Sequence, residues 1–354
     1  MAAFLKSLSR LFGGKSEPEL FLAAFGKHPG WNDHIDDLGL DTEALVSVKR
    51  LLYVQGINQN IDGGSWENPD VAAVSGPGGA TRLADFRHEF LWYLPPALAS
   101  QPEATLVAGR IWSSVDGKGR AKYPMVLAAQ TNNLPIAYAL RMVLPTLAKV
   151  NERCDHATDA EAVRSTVDAA RHALRGTLAE PVAPEGLTAG QLLAVAQHPD
   201  MHPNREGFHR IIYAFLRTLS AFRPGAPAAH GTRRPEQLRV PLAGLSLDAA
   251  LAFWLRLSLS ILDPATPILL LAPDPAITGL IPGPQATALG WVDILVGALV
   301  PGNLFAIKAG TKAVPLTSDI PYTLEPAFVS AIENYLQQTA TLPPDAPPPA
   351  LPTP

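Results

Sequence analysis

The sequence contains a single cysteine, Cys154, among its 354 residues. One cysteine excludes an internal disulfide and any zinc site built from several cysteines. It is also typical of proteins from a reducing compartment, where disulfides are rare. A basic excess is missing as well: the net charge is −4, whereas nucleic-acid-binding domains usually carry clustered positive charge. We therefore expect no nucleic-acid partner.

Long apolar runs are missing too. A membrane-spanning helix needs about 20 consecutive apolar residues. The two most apolar stretches, 249–262 and 291–309, are interrupted by Arg256, Asp293, Pro301 and Lys308. The first residues lack the apolar core of a signal peptide, because Lys6, Ser7, Ser9 and Arg10 break it. These features predict a soluble, cytoplasmic protein.

Strong catalytic motifs are absent. Neither a Gly-x-Ser-x-Gly nucleophile elbow nor a His-Glu-x-x-His zinc motif occurs. Gly14-Lys15-Ser16 is not part of a phosphate-binding loop, since Ser9 stands where that motif needs its first glycine. We predict a protein without enzymatic activity and without a cofactor.

The first part of the chain has the pattern of an α+β domain. Short apolar runs predict strands at 20–26 and 86–94, and two further strands within 108–127. Residues 42–61 have helical periodicity and begin at Thr42, a good helix N-cap. Consecutive hairpin strands predict a mainly antiparallel sheet with packed helices, which is an α/β fold of the α+β type.

The rest of the chain predicts a helical region and then a second small sheet. Helices are expected at 136–152, 160–176, 188–197, 207–222, 247–262 and 325–338, and strands at 267–272, 291–298 and 303–308. We divide the chain into 1–18, an α/β domain at 19–150, a helical region with a second α/β unit at 151–338, and a tail at 339–354. Proline fills much of the tail, so we expect it to be disordered.

Residues 2–12 predict a short amphipathic helix. Its apolar residues, Phe4, Leu5, Leu8, Leu11 and Phe12, lie on one side and Lys6 and Arg10 on the other. A basic amphipathic helix suits peripheral contact with a membrane surface. The alternative is a terminal helix that packs on its own domain.

The segment Ala108–Leu127 concentrates positive charge around a turn. Arg110, Lys118, Arg120 and Lys122 surround one acid, Asp116. The Asp-Gly-Lys-Gly sequence favours a tight hairpin, and Tyr123-Pro124 marks where the return strand begins. We interpret this hairpin as a surface that displays cations, although a solvated loop tip would have the same pattern.

The loop after the first strand is acidic. It begins at Lys27-His28-Pro29, and five acids follow without a nearby base: Asp33, Asp36, Asp37, Asp41 and Glu43. If the loop lies beside the hairpin, Asp33 or Asp36 could pair with Arg120. A bidentate contact of this kind orients a surface more than it stabilises a fold.

Two segments together resemble the TagF/ImpM family of type VI secretion accessory proteins. The first is Phe25-Gly-Lys-His-Pro-Gly-Trp-Asn-Asp33, and the second is Ser114-Val-Asp-Gly-Lys-Gly-Arg-Ala-Lys-Tyr-Pro-Met-Val-Leu127. The resemblance covers about residues 20–150. Asn32 replaces a glycine, Tyr123 replaces a phenylalanine, and one extra residue separates Arg120 from the Tyr-Pro pair.

The resemblance implies a regulatory or accessory protein that binds other proteins, with components of a secretion apparatus as possible partners. It implies no catalytic reaction. We assign Lys27, Asp33, Asp116, Arg120 and Tyr123 as the residues that bind or orient the partner.

Two alternatives stay open. His28, Asp33 and His34 could bind a metal ion in a metal-assisted hydrolase, although their spacing matches no strong metal signature. A sheet-plus-helix domain could also be a small-GTPase-binding module, which is an analogy at the level of the fold. Metal analysis and a nucleotide-dependent pull-down would distinguish these classes.

Overall fold

One antiparallel sheet forms the centre of the molecule. The computed structural model describes residues 17–58, 87–100, 104–120, 123–180, 182, 206–226, 235–241, 246–273, 291–297 and 324–341. The strands in these residues are β1 (Glu19–Gly26), β2 (Arg87–Leu94), β3 (Thr105–Trp112), β4 (Met125–Asn132), β5 (Glu236–Pro241), β6 (Ile268–Pro273) and β7 (Trp291–Val296). Their order is β1-β4-β3-β2-β6-β7-β5, and all pairs are antiparallel. The predicted α+β class is confirmed.

The predicted second small sheet is wrong. β6 pairs with β2, with Phe90 opposite Leu271, and β7 and β5 continue outward from β6. An apolar run indicates a strand but does not identify its neighbour in the sheet. The sheet therefore extends across the predicted boundary near residue 150.

Helices cover both faces of the sheet. They are α1 (Glu43–Val48), α2 (Pro96–Ala99), α3 (Ile136–His156), α4 (Ala160–Gly176), α5 (Glu206–Thr218), α6 (Leu247–Ile261) and α7 (Pro326–Thr341). α1 continues as a π-helix over Lys49–Asn58, α3 contains a π-helical stretch over Ala139–Val143, and α5 ends in a 3₁₀ turn over Leu219–Phe222. The predicted helix at 160–176 is confirmed at both ends, because Asp159 caps it and its apolar residues recur at helical spacing.

Alternation along the strands divides the core between two layers. On β1, Leu20, Leu22 and Ala24 pack towards α3–α7, whereas Ala23 and Phe25 pack towards α1 and α2. Burying one leucine side chain stabilises a fold by about 1.5–3 kcal/mol. Both faces of β1 are therefore anchored in a core layer.

The outer edge of β1 is covered. Ala24 and Leu38 exchange backbone hydrogen bonds of 2.9 and 3.1 Å. Two α4 side chains bond β1 carbonyls: Arg171 donates to that of Leu22 and Arg175 to that of Leu20. The backbone of this strand thus has partners along both of its edges.

Some predictions lie outside the described residues: the helices at 2–12 and 188–197, the strand at 303–308, and the tail beyond residue 341. α7 reaches Thr341, so the predicted end at residue 338 is too early. In the part of the chain that the structure describes, no helix is long and apolar enough to cross a membrane.

Candidate functional site

The two motif-bearing loops meet at one end of the sheet. β1 ends at Gly26, which pairs with Met125 at the start of β4, and the Lys27 amide donates to the Pro124 carbonyl at 3.1 Å. The Gly117 amide donates to the Trp31 carbonyl at 2.7 Å. The loop after β1 (27–37) therefore lies against the described parts of the connection between β3 and β4 (113–120 and 123–124).

A buried ion pair connects these loops. Lys27 Nζ donates to Asp116 Oδ2 at 2.8 Å, and the Lys27 and Asp116 side chains are 2% and 0% exposed. The side chain of Lys27 crosses from one loop to the other. Transfer of both charges from water is costly, and a buried pair compensates for this only with good geometry and further hydrogen bonds.

Asp116 receives those further hydrogen bonds from its own loop. Its Oδ1 accepts from the Lys118 amide at 3.0 Å and from the Arg120 amide at 2.9 Å. Gly119 allows the turn with a φ of +75°. The predicted hairpin is confirmed, because β3 and β4 pair antiparallel, but its connection is not tight: it runs from Trp112 to Met125 and includes a turn folded around the Asp116 carboxylate.

Arg120 and Asp33 extend the pair to the surface. Arg120 Nε donates to Asp116 Oδ2 at 2.7 Å, and Arg120 Nη2 donates to Asp33 Oδ1 at 3.1 Å and to the Asn32 carbonyl at 2.9 Å. Asp33 Oδ1 also lies 3.5 Å from Lys27 Nζ. We call Lys27, Asp33, Asp116 and Arg120 the ion network. Its surface members, Asp33 and Arg120, are 69% and 49% exposed.

The network keeps its carboxylates charged. Burial acts to raise the pKa of Asp116, but hydrogen bonds from Lys27, Arg120 and Lys118 outweigh it and hold that pKa well below its usual value. The pKa of Asp33 is also lowered: a desolvation effect that would raise it is outweighed by the nearby His34, Lys27 and Arg120. Both groups are therefore anions at neutral pH.

Aromatic rings flank the ion network. The Lys27 ammonium lies 5.0 Å from the centre of the Tyr123 ring, within the range of a cation–π contact. The His34 ring lies 5.7 Å from that of Tyr123 and 6.1 Å from that of Tyr53. The structure thus brings together all five residues assigned from the sequence: Lys27, Asp33, Asp116, Arg120 and Tyr123.

Sequence reasoning missed Tyr53, which lies on the π-helical continuation of α1. Its side chain is buried against Phe25 and His34, with ring centres 5.7 and 6.1 Å away. A tyrosine inside an apolar helical pattern looks like an ordinary core residue. Its position beside the ion network depends on how the π-helix turns, and the sequence contains no signal for that.

The three proposed metal ligands do not form a site: His34 Nδ1 lies 3.2 Å from Asp33 Oδ1, but His28 is engaged elsewhere. His28 is buried and turns towards α3: its Nδ1 accepts from the Gly30 amide at 3.0 Å, so its Nε2 carries the proton and donates to the Cys154 carbonyl at 2.8 Å. Burial lowers the pKa of His28 more than its neighbours raise it, which keeps the ring neutral. Both ring nitrogens are therefore occupied. Among the described residues, no group of three or more His, Cys, Asp or Glu side chains could hold a metal ion.

The other acids of the loop have partners elsewhere. Asp36 accepts from Arg164 of α4 at 2.7 Å and from the Trp31 indole at 3.1 Å, and Asp37 pairs with Lys49. Of the two candidates for pairing with Arg120, the structure selects Asp33. The bases that pair with Asp33, Asp36 and Asp37 lie outside the acidic segment, so local charge counting does not identify them.

The hairpin displays fewer cations than the sequence suggests. Arg110 lies within β3 and is buried, where it donates to Glu89 at 2.5 Å and to Asn151 at 2.9 Å. Lys122 lies outside the described residues. Arg110 therefore belongs to the packing of α3 on the sheet, while Arg120 is part of the surface.

Comparison with models of known protein families and with curated proteins finds no match. The resemblance to the TagF/ImpM family consequently depends on the two sequence motifs alone. A function has to follow from the chemistry of the site, because a fold by itself does not specify one.

Proposed function

We propose that this chain is a non-enzymatic accessory or regulatory protein that binds another protein through the loop end of its sheet. It resembles in this the type VI secretion accessory proteins of the TagF/ImpM family. The proposal includes the cytoplasmic location expected from the composition. The observation that supports it is the ion network, which joins residues of both family-like motifs and reaches the surface at Asp33 and Arg120.

The chemistry of the network suits binding better than catalysis. A general base works best with a pKa near the working pH, but the pKa of Asp116 is held far below neutrality. The Lys27 ammonium is buried in an ion pair with Asp116 at 2.8 Å, so it is engaged by that carboxylate. Lys27 and Asp116 therefore serve to hold the two loops in a fixed arrangement.

Compared with apolar residues of similar size in the same place, the network adds little to fold stability, although removing one member of its buried pair is costly. Exposed ion pairs such as Asp33–Arg120 contribute about 0–1 kcal/mol. Buried pairs such as Lys27–Asp116 are often no more stabilising than apolar residues of similar size. An arrangement of this kind is more useful for holding the Arg120 guanidinium in one orientation, ready for a partner.

Charge reversal of Arg120 tests the proposal. The full chain and its Arg120→Glu variant are used for affinity capture from the native cell, and bound proteins are identified by mass spectrometry. We expect the variant to lose about tenfold or more of the captured partner, since truncating a charged contact at an interface costs about 2 kcal/mol or more. Components of a secretion apparatus in the wild-type sample would support the family resemblance.

A matched control is available on α4. Arg164 is also an exposed arginine that pairs with an exposed loop aspartate, Asp36, at 2.7 Å. Arg164→Glu should therefore leave capture unchanged. Arg120→Gln removes the charge without adding repulsion from Asp116, so it guards against a folding defect. The proposal would be contradicted if Arg120→Glu and Arg120→Gln both melt like the wild type and both capture as much partner as the wild type.

A further inference from the structure

The site has two layers that differ in exposure. The lower layer contains the buried side chains of Lys27, Tyr53 and Asp116. The upper layer contains Asp33, His34 and Arg120, which reach solvent. Asp33 and His34 are consecutive residues, and they lie over Lys27 and over Tyr53 respectively. If the Asp33–His34 segment moved aside, both buried side chains would become accessible.

The hydroxyl of Tyr53 has no hydrogen-bond partner within the described part of the chain, although it is fully buried. An unsatisfied buried polar group is destabilising, and phenylalanine would fill the same space without it. Burial raises the pKa of Tyr53, and electrostatic interaction with Tyr123 and Asp33 raises it further, which keeps the hydroxyl protonated and able to donate. The Tyr53 ring lies 6.1 Å from that of His34, the residue next to Asp33, and it belongs to a π-helical segment, a type of helix that is frequent at functional sites.

Asp33 fills its position loosely. Its distance of 3.5 Å to Lys27 Nζ exceeds the usual ~2.7–2.9 Å of a charge-assisted hydrogen bond. Its side chain is also the most exposed of the ion network. A carboxylate held in this way is easily displaced by another one that fits better.

The charges of the site favour a carboxylate over a phosphate. Without Asp33, the cations Lys27 and Arg120 face the single buried anion Asp116, which leaves one positive charge. One carboxylate neutralises this charge. A phosphate dianion would leave excess negative charge next to the buried Asp116, where repulsion is strong.

We propose that Asp33 is an internal occupant of a carboxylate-binding site, and that an Asp or Glu side chain of the partner protein displaces it. The incoming carboxylate binds the Lys27 ammonium and the Arg120 guanidinium and accepts a hydrogen bond from the Tyr53 hydroxyl. This inference rests on the proposed function and adds to it the chemistry of the partner: an acidic segment.

Binding of a hexaglutamate peptide to the full chain tests the inference by titration calorimetry, with hexaglutamine as the neutral probe. Asp33→Asn removes the competing carboxylate, so we expect it to bind hexaglutamate about tenfold more tightly than the wild type (~1.4 kcal/mol). Asp36→Asn is the matched control, because Asp36 is equally exposed but pairs with Arg164. It should bind like the wild type.

Tyr53→Phe tests the buried hydroxyl. In the Asp33→Asn background it should weaken hexaglutamate binding about tenfold, since a hydrogen bond to a charged group is lost. The melting temperature should not fall, because no described residue of the free protein bonds this hydroxyl. Tyr138→Phe is the control: the Tyr138 hydroxyl bonds the Leu174 carbonyl at 2.7 Å, so this variant should melt lower and bind normally.

Three results would overturn the inference: Asp33→Asn binding hexaglutamate no better than the wild type, equal binding with and without the Tyr53 hydroxyl, or stronger binding of inorganic phosphate than of the peptide. Partner capture distinguishes this failure from that of the proposed function. If Arg120→Glu abolishes capture and Asp33→Asn weakens it, Asp33 itself contacts the partner. The proposed function then holds and the displacement does not.

Discussion

At the scale of single residues, the buried ion pair between Lys27 and Asp116 is the central interaction of the site. Lysine is almost never fully buried unless it is paired, and here its ammonium crosses between two loops to a carboxylate that has no exposed surface. Removing one partner leaves the other as an uncompensated buried charge, which is strongly destabilising. The two loops therefore keep their relative position only when both members of the pair are present.

Asp116→Asn should lower the free energy of unfolding at pH 7 by about 3–5 kcal/mol, the usual cost of breaking a buried ion pair. The folded-state pKa of Asp116 lies below its ordinary 3.8, so its stabilisation is present above that pH and is lost as the pH falls further. The wild type should thus lose more stability than the variant on acidification from pH 5 to 3.

Urea denaturation across that pH range provides the measurement. Asp36→Asn, which removes an exposed carboxylate, should change stability by less than about 1 kcal/mol. Parallel pH profiles for the wild type and Asp116→Asn would show that Asp116 is not held as an anion by its neighbours.

At the scale of elements, Gly26 is the last residue of β1 and precedes the loop 27–37. Its φ is +106°, and a Cβ at this position would lie 2.2 Å from the Pro124 carbonyl oxygen. Gly26→Ala combines backbone strain with a clash against rigid backbone, so we expect a loss of about 3 kcal/mol or more.

Gly119→Ala separates the two effects. Gly119 also has a positive φ, of +75°, but nothing lies within 4 Å of its added Cβ, so only the strain of about 1 kcal/mol remains. Chemical denaturation of both variants tests this difference. Equal losses would show that the contact between Gly26 and Pro124 does not constrain the loops.

Elements with a local physical cause could be predicted from the sequence. α4 begins at a capping aspartate and repeats its apolar residues at helical spacing, and α1 begins at Thr42, whose hydroxyl accepts from the Leu45 amide. The π-helical continuation of α1 could not be predicted. Its apolar residues fit an ordinary helix equally well, and only the structure shows which of them, including Tyr53, face the site.

At the scale of the whole molecule, the sheet combines residues that are far apart in sequence. His88 of β2 lies opposite Pro273 of β6, so strands from both ends of the chain share one core. The continuous apolar run 267–272 suits a separate sheet as well as this one, because strand pairing depends on long-range contacts. The paired motifs raise the contact between the site loops only as a condition, and nothing in the sequence identifies the partner of β2.

A chain that stops at residue 182 tests this continuity. It would lack β5, β6 and β7, leaving β2 as an unpaired and apolar edge. We expect it to aggregate or to lose its cooperative thermal transition. A chain that ends at residue 341 lacks only proline-rich sequence and should melt like the full chain. A cooperative transition in the shorter chain would make the first part an independent domain.

The covered edge of β1 also limits how another molecule can attach. Extended peptides often join a sheet by adding a strand to an open edge. On β1 this route is closed, because Leu38 pairs with Ala24 and two arginines of α4 hold the carbonyls of Leu20 and Leu22. β-strand addition at this edge is therefore blocked, and two copies of the chain cannot fuse their sheets there. A partner that binds next to β1 must therefore contact side chains at the end of the strand that leads into the loop 27–37.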